Sequence, residues 1–94
     1  MRLRYTPRAR LDLAEIHDYI ALENPQAARR VIVIIRKAAE ALPPNPLVGR
    51  LGRIAGTREL TVGRFPFMLA YRVDADEVQI LSVIHTARLW PESL

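Results

Sequence analysis

Apolar Leu3 and Tyr5 alternate with Arg2 and Arg4, a spacing of two that predicts a short first strand. Thr6-Pro7 follows as a helix start. The threonine oxygen can cap the first turn, and proline at the first helical position lacks only an N–H that would have no partner there. Ala9, Leu13, Ile16 and Ile20 recur at helical spacing and form one buried stripe. Asn24-Pro25 repeats the start signal for a second helix running to about Leu42, with the stripe Ala28, Val31, Ile32, Ile35, Ala38, Ala39 and Leu42. So short a link between two helices predicts an antiparallel hairpin. Val33 and Ile34 widen the second stripe beyond one face. We read the widening as deeper burial, with a partner surface as the alternative.

Pro43, Pro44 and Pro46 end the second helix. Residues 45–56, with Gly49, Gly52 and Gly56 and two arginines, read as a mobile basic loop. It follows no strand and lacks the Lys-Ser/Thr ending of a phosphate-binding loop. Leu60 and Val62 then alternate with Glu59 and Thr61, as in a strand wet on one face. Phe65 to Val73 is apolar on both faces, which suits a central strand. Asp74-Ala75-Asp76-Glu77 is a polar turn, and Val78 to Ile84 is a second doubly buried run. The predicted order is β-α-α-β-β-β, an α+β fold with a small antiparallel sheet and an N-terminal helical hairpin on one face.

At the exit of the last strand stand His85, Arg88 and Trp90, three side chains that a purely structural strand end does not require. The length of 94 residues implies a single domain, 1–94, with one core. No apolar run reaches the length of a membrane span, and the N-terminus has no signal-peptide core, so a cytoplasmic protein is expected. Absence of cysteine excludes disulfides and thiolate metal sites, and His17 and His85 are too few for a metal centre. No cofactor is expected.

Charge sharpens the picture. Thirteen of the fourteen basic residues are arginine, with Lys37 the single lysine. From Arg29 to Arg72 nine basic residues face only Glu40 and Glu59, a local excess of seven, whereas the first helix carries Asp12, Glu15, Asp18 and Glu23. Guanidinium forks match phosphate and carboxylate geometry, so a basic sheet face implies a nucleic acid or an acidic protein segment. Ordinary solvated surface charge is the competing explanation for any single arginine.

The chain resembles the RelE/ParE superfamily of toxins from type II toxin–antitoxin modules. The likeness runs through Ala9, Asp12, Leu13 and Ile16, then Tyr19-Ile20, Asn24-Pro25 with Ala27-Ala28, Pro46 and Gly49-Arg50. It continues through Arg58-Glu59-Leu60, Pro66-Phe67, Tyr71-Arg72-Val73, Ile80-Leu81 and the ending His85, Arg88, Trp90 and Pro91. The resemblance implies a small toxin, of a kind linked to plasmid stabilisation, held in a hetero-oligomer by an antitoxin. The antitoxin's acidic C-terminal segment would fold along the arginine-rich surface. Arg50, Arg53, Arg58, Arg64, Arg72, Arg88, Trp90, Val33 and Ile34 are the candidates for antitoxin or target binding.

Two mechanisms are implied by that superfamily. RelE-type members cleave mRNA on the ribosome, which needs a base for the 2′-hydroxyl, cations for the phosphate and an acid for the leaving oxygen. ParE-type members poison DNA gyrase. Against the RelE pattern, Met68 precedes Leu69-Ala70-Tyr71 where an arginine stands, and Glu59 and Thr61 replace paired lysines. No tyrosine follows His85. The reading is therefore a ParE-like growth-inhibiting toxin acting on gyrase. The alternative is an mRNA interferase using His85 with Arg58, Arg64 and Arg88, and a further alternative is a non-toxic remnant that still binds antitoxin.

Overall fold

The structure is a computed structural model and describes residues 1–86. The chain runs β1 (Arg2–Tyr5), α1 (Pro7–Ala21), α2 (Pro25–Glu40), β2 (Arg50–Leu51), β3 (Arg58–Thr61), β4 (Phe67–Asp74) and β5 (Glu77–His85). Both helix starts act as expected. Ala9 N–H donates to Thr6 Oγ1 at 3.2 Å and Ala27 N–H donates to Asn24 Oδ1 at 3.1 Å, each cap followed by proline. Thr6 has a second role, donating its hydroxyl to the Leu81 carbonyl at 3.0 Å and so tying the start of α1 to β5.

The strands form one sheet in the order β1-β5-β4-β3-β2. β3 through β5 pair antiparallel, as expected, and β2 adds to β3 antiparallel, but β1 joins β5 in parallel, so the sheet is mixed. The helical connection from β1 returns the chain to the far side of the sheet, which is how a parallel neighbour arises. Ala9, Leu13, Ile35, Ala39 and Leu42 pack on Leu69, Tyr71, Val78, Ile80 and Val83, and Arg36 lies 5.4 Å from the centre of the Tyr5 ring. A smaller cluster, Met68, Ala70 and Ile84, occupies the alternate positions of the central strands.

Three expectations change. The loop 45–56 is not free: it contains β2, with Arg50 opposite Glu59 and Leu51 opposite Arg58. Tyr71 and Arg58 hold it from beneath. Tyr71 donates its hydroxyl to the Pro46 carbonyl at 2.7 Å and accepts from Gly49 N–H at 2.9 Å, and Arg58 donates to the carbonyls of Gly49 and Leu47. Glu59 is not on a wet face; it is buried and accepts from Arg50 Nε at 2.9 Å. Val33 is 50% exposed, so there the widened stripe of α2 is surface rather than deeper core, whereas Ile34 is half-buried and packs against the core.

β5 carries a bulge that the pattern of apolar residues conceals. Ala70 faces Ser82 while Tyr71 faces Ile80, leaving Leu81 as the extra residue. Asp12 of α1 closes the gap. Its Oδ2 accepts from Ser82 Oγ at 2.7 Å and from Val83 N–H at 3.0 Å, which satisfies donors at the slipped register and docks the helix on the strand. Among the described residues no helix is long and apolar enough to cross a membrane.

Candidate functional site

The exit of β5, the start of β4 and the later turns of α1 line a cavity of about 640 Å³. Its walls are Ile16, Tyr19 and Ile20 of α1, Val31 of α2, and Phe65, Pro66, Phe67, Val83 and His85. Asp12 and Glu15 are its carboxylates. The order of elements produces it. The first turns of α1 are pinned to β5 by Thr6 and Asp12, whereas Ile16, Tyr19 and Ile20 of its later turns line the cavity.

His85 lies on this wall, half-buried, opposite Phe67 in the β4–β5 register. Its ring meets Phe67 edge-on, with centroids 5.5 Å apart and planes at 89°. The imidazole thus borders the cavity with an aromatic neighbour beside it.

The arginines singled out in the sequence do not gather around it. Arg58 faces Tyr71, four residues along β4 from Phe67 and one strand further over. Four residues of strand span about 13 Å, and the Arg58 fork is engaged by the Leu47 and Gly49 carbonyls. Arg72 is five residues from Phe67, roughly 17 Å along the strand, and donates to Gln79 Oε1 at 3.1 Å. Arg50 pairs with Glu59 at the β2 edge, and Arg53 is exposed in the loop after it. Among the described residues Arg64, exposed in the β3–β4 turn, is the singled-out arginine at the end of the sheet where His85 emerges. Arg88 and Trp90 lie outside the described residues. Val33 and Ile34 border a separate hollow of about 500 Å³ on α2, with Gln26, Arg29 and Arg30.

A second polar system crosses the sheet at its other end. Glu77 Oε1 accepts from Gln79 Nε2 at 2.8 Å and from Arg4 Nε at 3.2 Å, with Arg2 at 3.8 Å from the other oxygen. The Gln79 amide and the Arg4 guanidinium hold the Glu77 carboxyl below its usual range. Gln79 thus links Glu77 to Arg72, and the basic residues of this end are partly neutralised within the chain. Among the described residues no cluster of three or more histidines and carboxylates is arranged to hold a metal ion.

Asp12 and Tyr71 are the residues whose roles the sequence reading missed. Asp12 stands three residues after Ala9 and four before Ile16, at helical spacing within the apolar stripe. A carboxylate at such a position demands a partner, and that was the available signal.

The sequence model of the family described as ParE toxin of type II toxin–antitoxin system, parDE, matches residues 3–90. The Y4kP toxin candidate of Sinorhizobium fredii is 44% identical over 93 residues, covering 99% of this chain and 96% of that protein. Toxin RelE2 of Caulobacter vibrioides is 40% identical, covering 90% of this chain and 94% of its own. Among solved structures, a chain of the chromosomal ParDE toxin–antitoxin system from P. aeruginosa superposes with a TM-score of 0.82 at 34% identity, over 90% of this chain and 95% of that one. A chain of the RelBE2 toxin–antitoxin complex from Mycobacterium tuberculosis matches with a TM-score of 0.63 at 30% identity, over 93% and 92%.

Proposed function

This chain belongs to the ParE toxin family of type II toxin–antitoxin systems, and from that premise we propose that it arrests growth by poisoning DNA gyrase once its antitoxin is withdrawn. One observation carries the preference over RNA cleavage. Cutting RNA requires a proton acceptor and phosphate-binding cations that each come within hydrogen-bond reach, about 3 Å, of the same reacting group. Here His85 and Arg58 are separated by about 13 Å along the strands, and the Arg58 fork is occupied by backbone carbonyls. Met68 faces Thr61 across β3–β4, so that pair of positions supplies no cation either.

The antitoxin segment engages two kinds of surface in this reading. Its apolar side chains seat in the cavity between α1 and the β4–β5 exit. Asp12 and Glu15 on the cavity wall repel carboxylates, so the segment's acidic residues fall outside it, over exposed arginines such as Arg53 and Arg64. Binding to gyrase then uses surface that the antitoxin covers, which accounts for neutralisation without a separate inhibitory device.

The second reading, ribosome-dependent mRNA cleavage, is favoured by His85 standing at the cavity wall on the same end of the sheet as Arg64. One experiment separates the two. Induction of the wild-type chain should yield gyrase-linked DNA breaks and blocked supercoiling with purified gyrase, while primer extension shows intact mRNA. The His85→Ala variant should keep most of its growth inhibition. A catalytic histidine would instead cost on the order of 10²–10⁴-fold, and codon-phased cuts lost in His85→Ala would overturn the gyrase reading.

A further inference from the structure

Leu47, Val48 and Leu51 are exposed by 63%, 54% and 77%, and they sit close together on the arm that enters and leaves β2. Single exposed apolar residues are ordinary, but a group of them on one short arm is not. Arg58 brings them to one place. It faces Leu51 across β2–β3, where cross-strand partners stand about 5 Å apart, and its guanidinium donates to the Leu47 carbonyl at 3.3 Å.

The arm is held firmly at the free edge of the sheet. Tyr71 grips it from the core through Pro46 and Gly49, and the buried Glu59 carboxylate fastens Arg50. Beyond β2, Gly52 N–H donates to the Thr57 carbonyl at 2.9 Å, and the Thr57 hydroxyl donates to the Ile54 carbonyl. Buried polar groups thus fix in place apolar side chains that remain in water. Apolar surface left in water adds nothing to folding, so the fold itself gives no reason for the arrangement.

We propose that this arm is the grip with which the toxin seizes its target, a folded protein offering an apolar seat rimmed by carboxylates. The inference rests on the reading above that the toxin acts by binding. Charge identifies the occupant. Residues 41–58 carry Arg50, Arg53 and Arg58 and no carboxylate, and Glu59 offsets one of the three. A nucleic acid would engage the guanidinium groups through its phosphates but leave the three apolar side chains in water. A second copy of the arm would set arginine against arginine. A segment that folds as it binds shapes itself to its site, whereas a folded partner cannot, and a preset arm lowers the ordering cost of meeting it. None of the arm residues lines the cavity assigned above to the antitoxin. Antitoxin carboxylates over Arg53 would then mask the arm from the target.

The test uses the purified chain and its variants Leu47→Glu and Leu51→Glu in a supercoiling assay with purified gyrase, alongside growth after induction. Both substitutions fall on exposed positions, and circular dichroism verifies the fold of each. Each should raise the concentration for half-inhibition at least about tenfold, because it puts a carboxylate into an acid-rimmed apolar seat. Growth inhibition should weaken in parallel, Leu51→Met should behave as wild type, and the rise in Tm on adding antitoxin should persist in all three. Leucine variants that inhibit as strongly as wild type overturn the proposal, as does a wild type that leaves growth unaffected. Loss of the antitoxin-dependent Tm rise along with inhibition would make the arm the antitoxin's seat and also overturn it. So would inhibition that survives both leucine changes but is lost in Arg53→Glu, the mark of a phosphate contact. A wild type that arrests growth while sparing gyrase removes the gyrase reading alone, and growth of the variants then decides the role of the arm.

Discussion

The Tyr71 side chain is wholly buried, yet its hydroxyl makes two hydrogen bonds to the loop that precedes β2. Removing the oxygen leaves the Gly49 N–H and the Pro46 carbonyl without that partner in a buried setting, which costs more than the net value of the bonds themselves. Tyr71→Phe should therefore lower stability by about 2 kcal/mol, or on the order of 10 °C in Tm for a domain of this size, measured by urea and thermal unfolding. Glu77 gives a pH-dependent counterpart. Its carboxyl is held below the usual range by the Gln79 amide first and by Arg4 second. A carboxylate with a depressed folded-state pKa stabilises above its unfolded value, and that contribution is lost as pH falls through the folded one. Glu77→Gln should thus be less stable than wild type at neutral pH, and the gap should close as the pH falls below the ordinary carboxylate range. A gap that widens in acid would contradict the assigned contacts.

At the level of elements, the link between β2 and the sheet rests on a close approach. A Cβ on Gly49 would stand 2.6 Å from the Tyr71 hydroxyl and 2.6 Å from the Glu59 carbonyl oxygen. The ring has no room to move and the carbonyl belongs to a paired strand, so the loop must shift. Gly49→Ala should cost about 1–3 kcal/mol and strip β2 from β3. Hydrogen exchange at Arg50 and Leu51 should accelerate, while the β4–β5 amides stay protected. The same element shows where sequence patterning stops. Both helices were legible because each announces itself locally, through a cap, a proline and a stripe of period 3.6. The central strands were legible through unbroken apolar runs. β2 has two residues, too few for any period, and it exists through distant partners: Arg50 with Glu59, Tyr71 with Gly49. The bulge at Leu81 is hidden for the related reason that a run apolar on both faces reads the same in either register.

For the molecule as a whole, the family and the fold were readable from the order of short motifs, but the layout of the candidate site was not. Placing His85 against Arg58 requires the β3–β4–β5 register, and the slip between Ala70 and Tyr71 shifts one half of β5 against the other. Sequence proximity grouped the arginines, whereas the sheet spreads them over its edge, its turn and its far end. That spread, together with a large apolar cavity in a small chain, bears on stability as well as function. A domain of 94 residues folds with few kcal/mol to spare, and apolar cavity walls left in water contribute nothing to that margin. A partner that binds only the folded toxin adds RT ln(1 + [L]/Kd), about 4 kcal/mol when its free concentration is a thousandfold above Kd. For this chain length that corresponds to an increase on the order of 20 °C in Tm. Titrating the antitoxin into the purified toxin should therefore raise Tm logarithmically with concentration. Replacing the exposed Phe65 by glutamate at the cavity wall should abolish most of the rise if antitoxin side chains seat there, and a second variant, Ile20→Glu, does so from the α1 side without touching the sheet. A full Tm rise in both folded variants would place the antitoxin elsewhere on the molecule.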